Sequence, residues 1–238
     1  MSNIPKIIHY CWFGKGKMPK LALKCIESWK KYLPDYEIKE WNEDNFDINI
    51  NTYVKQAYEC KKYAFVTDYV RLYALLTEGG IYMDTDVEVI KDISEFLIEE
   101  AFSGFQTLNE LPTGIMGARA GNQWIKENLE VYNGKRFVKE NGELDLTPNT
   151  TTITNISVRM GIQLNGKLQS IDNVVTIFPM DYFCAKNYKD GKISITDNTY
   201  TIHHFSGSWL SNKELVKKKI RSLVGHSSYE WIKRRIKK

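Results

Sequence analysis

The chain has 238 residues, of which 42% are hydrophobic and 26% charged, and its formal net charge is +4. That length supports one substantial core. No stretch approaches the ~20 apolar residues of a membrane span, and Met1-Ser2-Asn3-Ile4-Pro5 lacks the basic start and long apolar run of a secretory leader, so a cytoplasmic location is expected. The four cysteines (Cys11, Cys25, Cys60, Cys184) form no C-x-x-C pair and read as reduced thiols.

In chain order, Ile4 to Trp12 reads as a buried first strand and Leu21 to Tyr32 as an amphipathic helix stopped by Leu33-Pro34-Asp35. Tyr36 to Trp41 is a second strand. Glu43-Asp44-Asn45-Phe46-Asp47 lacks the ligand spacing of a calcium loop and reads as a solvated turn, with Asn42 a candidate nucleoside contact beside it. Short helical turns follow. Lys61 to Glu78 is a long helix, because Phe65, Val66, Tyr69, Val70, Leu72, Tyr73 and Leu76 recur at helical spacing. Gly79, in the left-handed conformation, ends it. Ile81-Tyr82-Met83 is too short for another helix and reads as a buried strand, continued past a polar triplet by Val87 to Ile90. Residues 101–106 and 113–118 read as strands around a turn. Gly114-Ile115-Met116-Gly117-Ala118 suits either a cleft lining or a close-packed strand. Asn122 to Tyr132 is helical, Gly134 to Asn149 loop-like, and 149–159 a Thr-rich helix opened by Asn149 or Thr150. Val174 to Phe178 and Tyr200 to Phe205 are late strands. Strands alternating with helices argue for an α/β domain with a mainly parallel sheet.

The chemistry concentrates between residues 64 and 88. Asp68 and Arg71, three apart on a helix, share a face. Asp84 and Asp86, two apart on an extended segment, project to the same side. Ligands of open α/β sheets bind beyond the carboxyl ends of strands, and two carboxylates there suit Mg²⁺ or Mn²⁺ with positions left for water and phosphate oxygens. An acid and a base on a helix, a glycine stop, a short strand and a paired carboxylate are the parts that hold a divalent cation against the diphosphate of an activated sugar. There is no Walker-type loop, G-x-G-x-x-G, Gly-x-Ser-x-Gly or His-Glu-x-x-His, so hydrolase and dehydrogenase chemistries lack residues to carry them.

The string Asp68-x-x-Arg71, Gly79-Gly80-x-Tyr82-x-Asp84-x-Asp86 resembles the DXD-containing sugar-transferase family, which includes bacterial capsular polysaccharide transferases and fungal initiating α-1,6-mannosyltransferases. It is also similar to the glucosyltransferase domains of the large clostridial toxins. Ile4-Pro5-Lys6-Ile7-Ile8-His9-Tyr10-Cys11-Trp12-Phe13-Gly14 resembles the family's opening strand, and His203-His204-Phe205-Ser206-Gly207-Ser208-Trp209 its closing segment. The match is specific over 4–90 and 200–209 and loose between about 105 and 195. The resemblance implies a single nucleotide-sugar-binding domain of the GT-A type over 1–210, with a mainly parallel sheet. It implies a retaining transfer of a hexose, with UDP the expected nucleotide, from a nucleotide sugar to a glycan or lipid-linked glycan in capsular or surface polysaccharide synthesis. Mn²⁺ or Mg²⁺ is the implied cofactor.

Residue by residue, Asp68 and Arg71 are expected on the donor sugar's hydroxyls, Asp84 on the ribose or a metal-bound water, and Asp86 on the metal; these four are the catalytic candidates. Trp12, at the end of the first strand, is either a core aromatic or, as in the family, a contact to the nucleotide base. Thr85 is grouped with the donor contacts. The closing loop in the family supplies a metal contact and an indole donor to phosphate, which places Ser208 and Trp209 at the diphosphate. The metal set is Asp84, Asp86 and one histidine. His203 and His204 point to opposite faces of a strand. His204 is preferred because it shares a face with the apolar Ile202, and His203 stays open. Two other classes remain: a toxin-like transferase that modifies a protein, and an inactive nucleotide-sugar-binding module.

Residues 211–238 carry 10 Lys or Arg against 2 Glu. Leu215, Ile220, Leu223, Val224, Trp231, Ile232 and Ile236 interrupt the charge at near-helical intervals, giving two basic amphipathic helices broken near Gly225. Such a tail either packs on the domain or lies on an anionic lipid surface; no nucleic-acid fold signature accompanies it. Each basic residue near an anionic leaflet contributes about 1 kcal/mol, less as salt rises. Replacing Lys217, Lys218, Lys219, Arg234 and Arg235 by Gln is therefore expected to release the protein from anionic vesicles at low salt. A wild type that never sediments with those vesicles would leave the packed-helix reading.

Overall fold

The structure is a computed structural model and describes residues 3–111 and 114–207. The elements run β1 (Ile7–Cys11), α1 (Lys20–Tyr32), β2 (Glu37–Trp41), α2 (Thr52–Glu59), α3 (Tyr63–Glu78), β3 (Gly80–Met83), β4 (Val87–Val89), β5 (Ala101–Gly104), β6 (Ile115–Ala118), α4 (Gln123–Glu130), α5 (Asn149–Arg159), β7 (Gln169–Ile171), β8 (Val175–Phe178), α6 (Met180–Phe183) and β9 (Thr201–His203). A seven-stranded sheet has the order β2-β1-β3-β6-β5-β8-β7. β2, β1, β3, β5 and β8 run one way, with β6 and β7 reversed. The α/β, mainly parallel sheet expected of a GT-A type domain is therefore observed, with β6 reversed at its centre. The tail over 211–238 and its boundary with the domain lie outside the described residues.

Alternation along the central strands divides the core into two layers. Ile8 and Tyr10 of β1 and Ile81 and Met83 of β3 pack on the α1 side with Cys25 and Trp29. Cys11 and Tyr82 face the other layer with Val66, Val70, Ala74 and Trp124. The segment Gly114 to Ala118 resolves as a close-packed strand: Ile115 to Ala118 are buried, and a Cβ on Gly117 would lie 2.1 Å from the Phe102 ring.

The glycine pair sets the entry into β3. Gly79 does have positive φ (+69°), but ψ is −170°, so the chain leaves the helix directly into an extended course rather than through a left-handed turn. Gly80 follows at φ +107°, and a Cβ there would lie 2.6 Å from the Ile7 carbonyl oxygen. Both positions need glycine. A buried relay fixes the corner. Trp41 Nε1 donates to His9 Nδ1 (3.0 Å), and His9 Nε2 donates to the Gly79 carbonyl (2.7 Å). The indole can only donate, so His9 is the neutral Nε2–H tautomer.

β4 does not extend the main sheet; it pairs antiparallel with β9, Val87 opposite His203. Its other edge is capped by α1 side chains: Trp29 Nε1 donates to the Val87 carbonyl (2.7 Å), and Val89 N–H donates to Ser28 Oγ (2.9 Å). Two side chains thus satisfy backbone groups that a neighbouring strand would otherwise take. The turn at 43–47 is not simply solvated. Phe46 is in the core, and Glu43 Oε1 accepts from Gly14 N–H (2.6 Å) and Tyr58 Oη (3.0 Å). All four cysteines are free thiols, three of them buried.

His9 is fully buried, and that burial holds its pKa below the usual histidine value. Unfolded chains therefore bind more protons below about pH 6.5, and the His9 contribution is lost as pH falls. His9→Leu leaves an indole N–H and a carbonyl unpaired, at a cost of about 2–4 kcal/mol near pH 7.5. The gap between wild type and this variant is expected to narrow on acidification to pH 5, read by urea unfolding; a widening gap would contradict the relay.

Candidate active site

The site lies beyond the carboxyl ends of β1 and β3, where α3, the Asp84-Thr85-Asp86 turn and the β4–β9 ribbon meet. Apolar residues on two sides of α3 pin it in the core, and Arg71 is buried with them. Its guanidinium bridges two carboxylates: Nη2 lies 3.3 Å from Asp68 Oδ1 and Nη1 3.3 Å from Asp84 Oδ1. Nε donates to the Thr67 carbonyl (3.3 Å), and the group lies 4.4 Å over the Tyr82 ring. Tyr82 Oη donates to Asp84 Oδ1 (2.8 Å). The residue two before Asp84, on the same face, thus shares its carboxylate with Arg71.

The paired carboxylates are held by backbone as well. Asp84 N–H donates to the Gly114 carbonyl (2.8 Å), and the Asp84 carbonyl accepts from Val87 N–H (2.9 Å), closing the turn. Asp86 accepts Ser206 N–H on Oδ2 (2.6 Å), and its carbonyl accepts His204 N–H (2.9 Å). The ribbon register brings His203 beside Asp86: Nε2 is 3.3 Å from Asp86 Oδ1 and 3.9 Å from Asp84 Oδ2. One ligand atom from each of Asp84, Asp86 and His203 lies within 4.8 Å of the others.

His204, the preferred histidine from sequence, does not join them. Its Nε2 meets Glu88 Oε2 at 2.8 Å, and Lys24 pairs with the same carboxylate at 2.9 Å. The reason is physical: Thr201, Ile202 and His203 are all buried, so an apolar neighbour does not mark the inward face of β9. Trp12 stands just past β1, half-buried, with Nε1 donating to the Gly16 carbonyl (2.6 Å). Thr85 is half-buried between the carboxylates. Ser208 and Trp209 lie outside the described residues. Asn149, read from sequence as a helix opener, stands at the first position of α5 and donates Nδ2 to Asp68 Oδ1 (3.1 Å), while its Oδ1 is buried with no partner among the described residues. A Thr-rich helix of low intrinsic preference hid that role; the only signal was a polar side chain after Pro148.

Electrostatics separate the carboxylates. Burial raises the Asp68 carboxyl, Arg71 pulls it back and Asp84 pushes it up, leaving it at about 6. Burial would raise Asp86 too, but the His203 imidazolium and the Ser206 N–H hold it well below the usual carboxylate range. Burial would lower His203, yet Asp86 keeps it well above an ordinary histidine. Arg71→Met removes the shared partner of two largely buried carboxylates. A loss of about 3–5 kcal/mol is expected, the scale for one partner removed from a buried ion pair. Chemical unfolding checks it; a change below 1 kcal/mol would show that solvent screens the cluster.

Residues 19–103, which include Asp68, Arg71, Asp84 and Asp86, match the family described as glycosyltransferase sugar-binding region containing DXD motif. The chain is 26% identical over 166 residues to an uncharacterised glycosyltransferase of Acanthamoeba polyphaga mimivirus, covering 63% of this chain and 62% of the relative. It is 27% identical over 126 residues to inositol phosphoceramide mannosyltransferase 3 of Schizosaccharomyces pombe, covering 51% of this chain and 35% of that one. The chain thus spans less than two thirds of either relative. Among solved structures it is similar to a glycosyltransferase involved in glycosylation of the major capsid of PBCV-1, at 14% identity and TM-score 0.48, covering 89% of this chain and 97% of that one. It is also similar to the PaToxG glycosyltransferase, at 18% identity and TM-score 0.47, covering 66% and 72%. Residues 19–103 thus match the DXD-containing glycosyltransferase sugar-binding family, and the matched segment holds all four of the catalytic candidates.

Proposed function

We propose that the protein is a metal-dependent glycosyltransferase that moves a hexose from a nucleotide sugar to a glycan acceptor. The observation that carries this reading is the convergence of Asp84, Asp86 and His203 within 4.8 Å, tied through Arg71 to Asp68. Two carboxylates and an imidazole are a donor set that accepts Mn²⁺ or Mg²⁺. The fit is supported by geometry: His203 Nε2 faces carboxylate oxygens of both Asp86 and Asp84, at 3.3 Å and 3.9 Å, where a cation would take the place of a ring proton. Asp84, Asp86 and His203 would then be the ligands, with Ser208 a further candidate. Bound there, a divalent ion would supply Lewis-acid stabilisation of the leaving diphosphate.

The chain's own groups divide the remaining work. Asp68 accepts from donor-sugar hydroxyls and Arg71 donates to them, as charge-assisted hydrogen bonds. Asn149, beside Asp68, would add its amide oxygen as a further acceptor for the same sugar. Asp84, steadied by Tyr82 and Arg71, reaches the ribose, and Thr85 joins the donor contacts. Trp12 takes the base and Trp209 a phosphate oxygen. Retention follows the family resemblance: the acceptor hydroxyl attacks from the face the diphosphate leaves, and the departing phosphate oxygen takes its proton. UDP-hexose is the proposed donor, and capsular or surface glycan the proposed product. One relative's name specifies mannosyl transfer to inositol phosphoceramide, so GDP-mannose belongs in the test. A cytoplasmic enzyme reaching a lipid-linked acceptor through its basic tail completes the proposal. Among the described residues, no helix is long and apolar enough to cross a membrane.

The test is release of UDP or GDP from UDP-glucose, UDP-galactose, UDP-N-acetylglucosamine and GDP-mannose with Mn²⁺, then transfer to glycan acceptors. Asp86→Asn is expected to lose turnover by about 10²–10³-fold, the scale for one transition-state charge stabiliser, while staying folded with a lowered melting temperature, because His203 loses its buried counter-charge. Asp68→Ala is expected to weaken binding of the nucleotide sugar more than that of the free nucleoside diphosphate. His203→Ala is expected to weaken Mn²⁺ binding and His204→Ala to leave it intact. Wild-type turnover by Asp86→Asn without added metal would sink the proposal.

A further inference from the structure

We infer that Gly114 and Phe205 together fix the orientation of the His203 ring, and through it the affinity of the Asp84–Asp86–His203 cluster for a divalent cation. The inference rests on the metal reading proposed above and names two residues that reading does not use.

A histidine at the end of a strand has a soft ring torsion, so either nitrogen could face Asp86. Metal-binding histidines are ordinarily fixed by a hydrogen bond from the second ring nitrogen to a carboxylate or carbonyl. His203 has no such bond. Its Nδ1 is buried without a hydrogen-bond partner among the described residues, although the Cys184 thiol lies near the ring. Packing holds the ring instead. Gly114 lies against the ring: a Cβ there would be 2.7 Å from Nδ1 and 2.8 Å from Cε1, so the imidazole occupies the space of the missing side chain. Phe205 also packs on it, its ring centroid 4.1 Å away and tilted by 32°. Tyr188 meets the Phe205 ring edge-on at 5.3 Å and backs it.

Two features tie this bracket to the cluster rather than to general core packing. Gly114 also accepts Asp84 N–H through its carbonyl (2.8 Å), so one residue sets a backbone atom of one member and the ring plane of another. Phe205 adopts φ +52°, a left-handed conformation that costs a non-glycine residue about 1–2 kcal/mol. Such strain persists where the surroundings over-determine it. Here it turns the aromatic ring back over His203 while Ser206 N–H reaches Asp86.

The experiment compares wild type with Phe205→Leu, Phe205→Tyr and Gly114→Ala. Mn²⁺ affinity is measured by electron paramagnetic resonance, and the His203 ring proton is followed by NMR in metal-free protein, assigned by its loss in His203→Gln. Phe205→Leu keeps an apolar side chain and the backbone strain but removes the ring face. It is expected to weaken Mn²⁺ binding about tenfold or more, the range seen when groups that orient a ligand are lost, and to remove the ring-current shift of His203. Phe205→Tyr is expected to retain both. Gly114→Ala is expected to weaken Mn²⁺ binding comparably; should it fail to fold, the two Phe205 variants still decide. Mn²⁺ binding by Phe205→Leu equal to wild type, or an unmoved His203 resonance in that variant, would overturn the inference. If the wild type itself binds no Mn²⁺, the metal reading fails, and the metal-free resonance alone determines whether the bracket orients the ring.

Discussion

A guanidinium with only 6% of its side chain exposed sits between two carboxylates and over a phenol ring. Burying a cation is costly unless geometry and hydrogen bonding compensate it. Arg71 meets that condition by taking one partner from its own helix turn and the other from the end of the next strand. The second partner matters most for the site. Asp68 would face the same way on any intact α3, but Asp84 is held toward α3 by Arg71 and Tyr82. Helix, glycine corner and carboxylate turn therefore form one unit, and a shift in any of them exposes an unpaired buried charge.

The rest of the fold serves that unit from two sides. At the start of β3, the His9 relay and the two glycines bring the strand close against β1. At its end, α1 side chains hold β4 away from the main sheet so that β4 can pair with β9. That pairing carries residues from some 120 positions later in the chain to Asp86: His203 by its ring, His204 and Ser206 by their N–H groups. A continuous strand through Asp84 and Asp86 would leave no edge for β9, so the turn between β3 and β4 is needed for the cluster to exist.

Local pattern made much of this legible. The spacing of Asp68 and Arg71, the glycine stop and the short apolar strand located the carboxylate pair and one face of α3. Reading failed where tertiary contacts decide direction. The apolar neighbour Ile202 favours His204 over His203, but Thr201, Ile202 and His203 are all buried, so an apolar neighbour does not mark the side of β9 that faces Asp86. Glu43 looked solvated, but its partners Gly14 and Tyr58 come from distant segments. Asn149 sat in a Thr-rich helix whose local signal was weak, and its value lies in a contact across 81 positions to Asp68. The reversed strand β6 carries no signature in composition, since its residues are as apolar as those of a parallel strand.

The two ends of the carboxylate row have opposite electrostatic characters, and the difference is structural in origin. Asp68 is buried beside Arg71 but also near Asp84, and burial dominates, so its carboxyl rests at about 6. Asp86 is equally removed from water, yet a backbone N–H and the His203 ring stabilise its charge, and it stays ionised far into acid. Environments that push like groups apart assign them different work. Asp86 is a permanent anion suited to a cation. Asp68, tied to Arg71 and Asn149 and not part of the Asp84–Asp86–His203 cluster, is placed for hydrogen bonds to hydroxyls. Arg71 joins both regions through Asp84, so each region keeps its character while its position depends on the other.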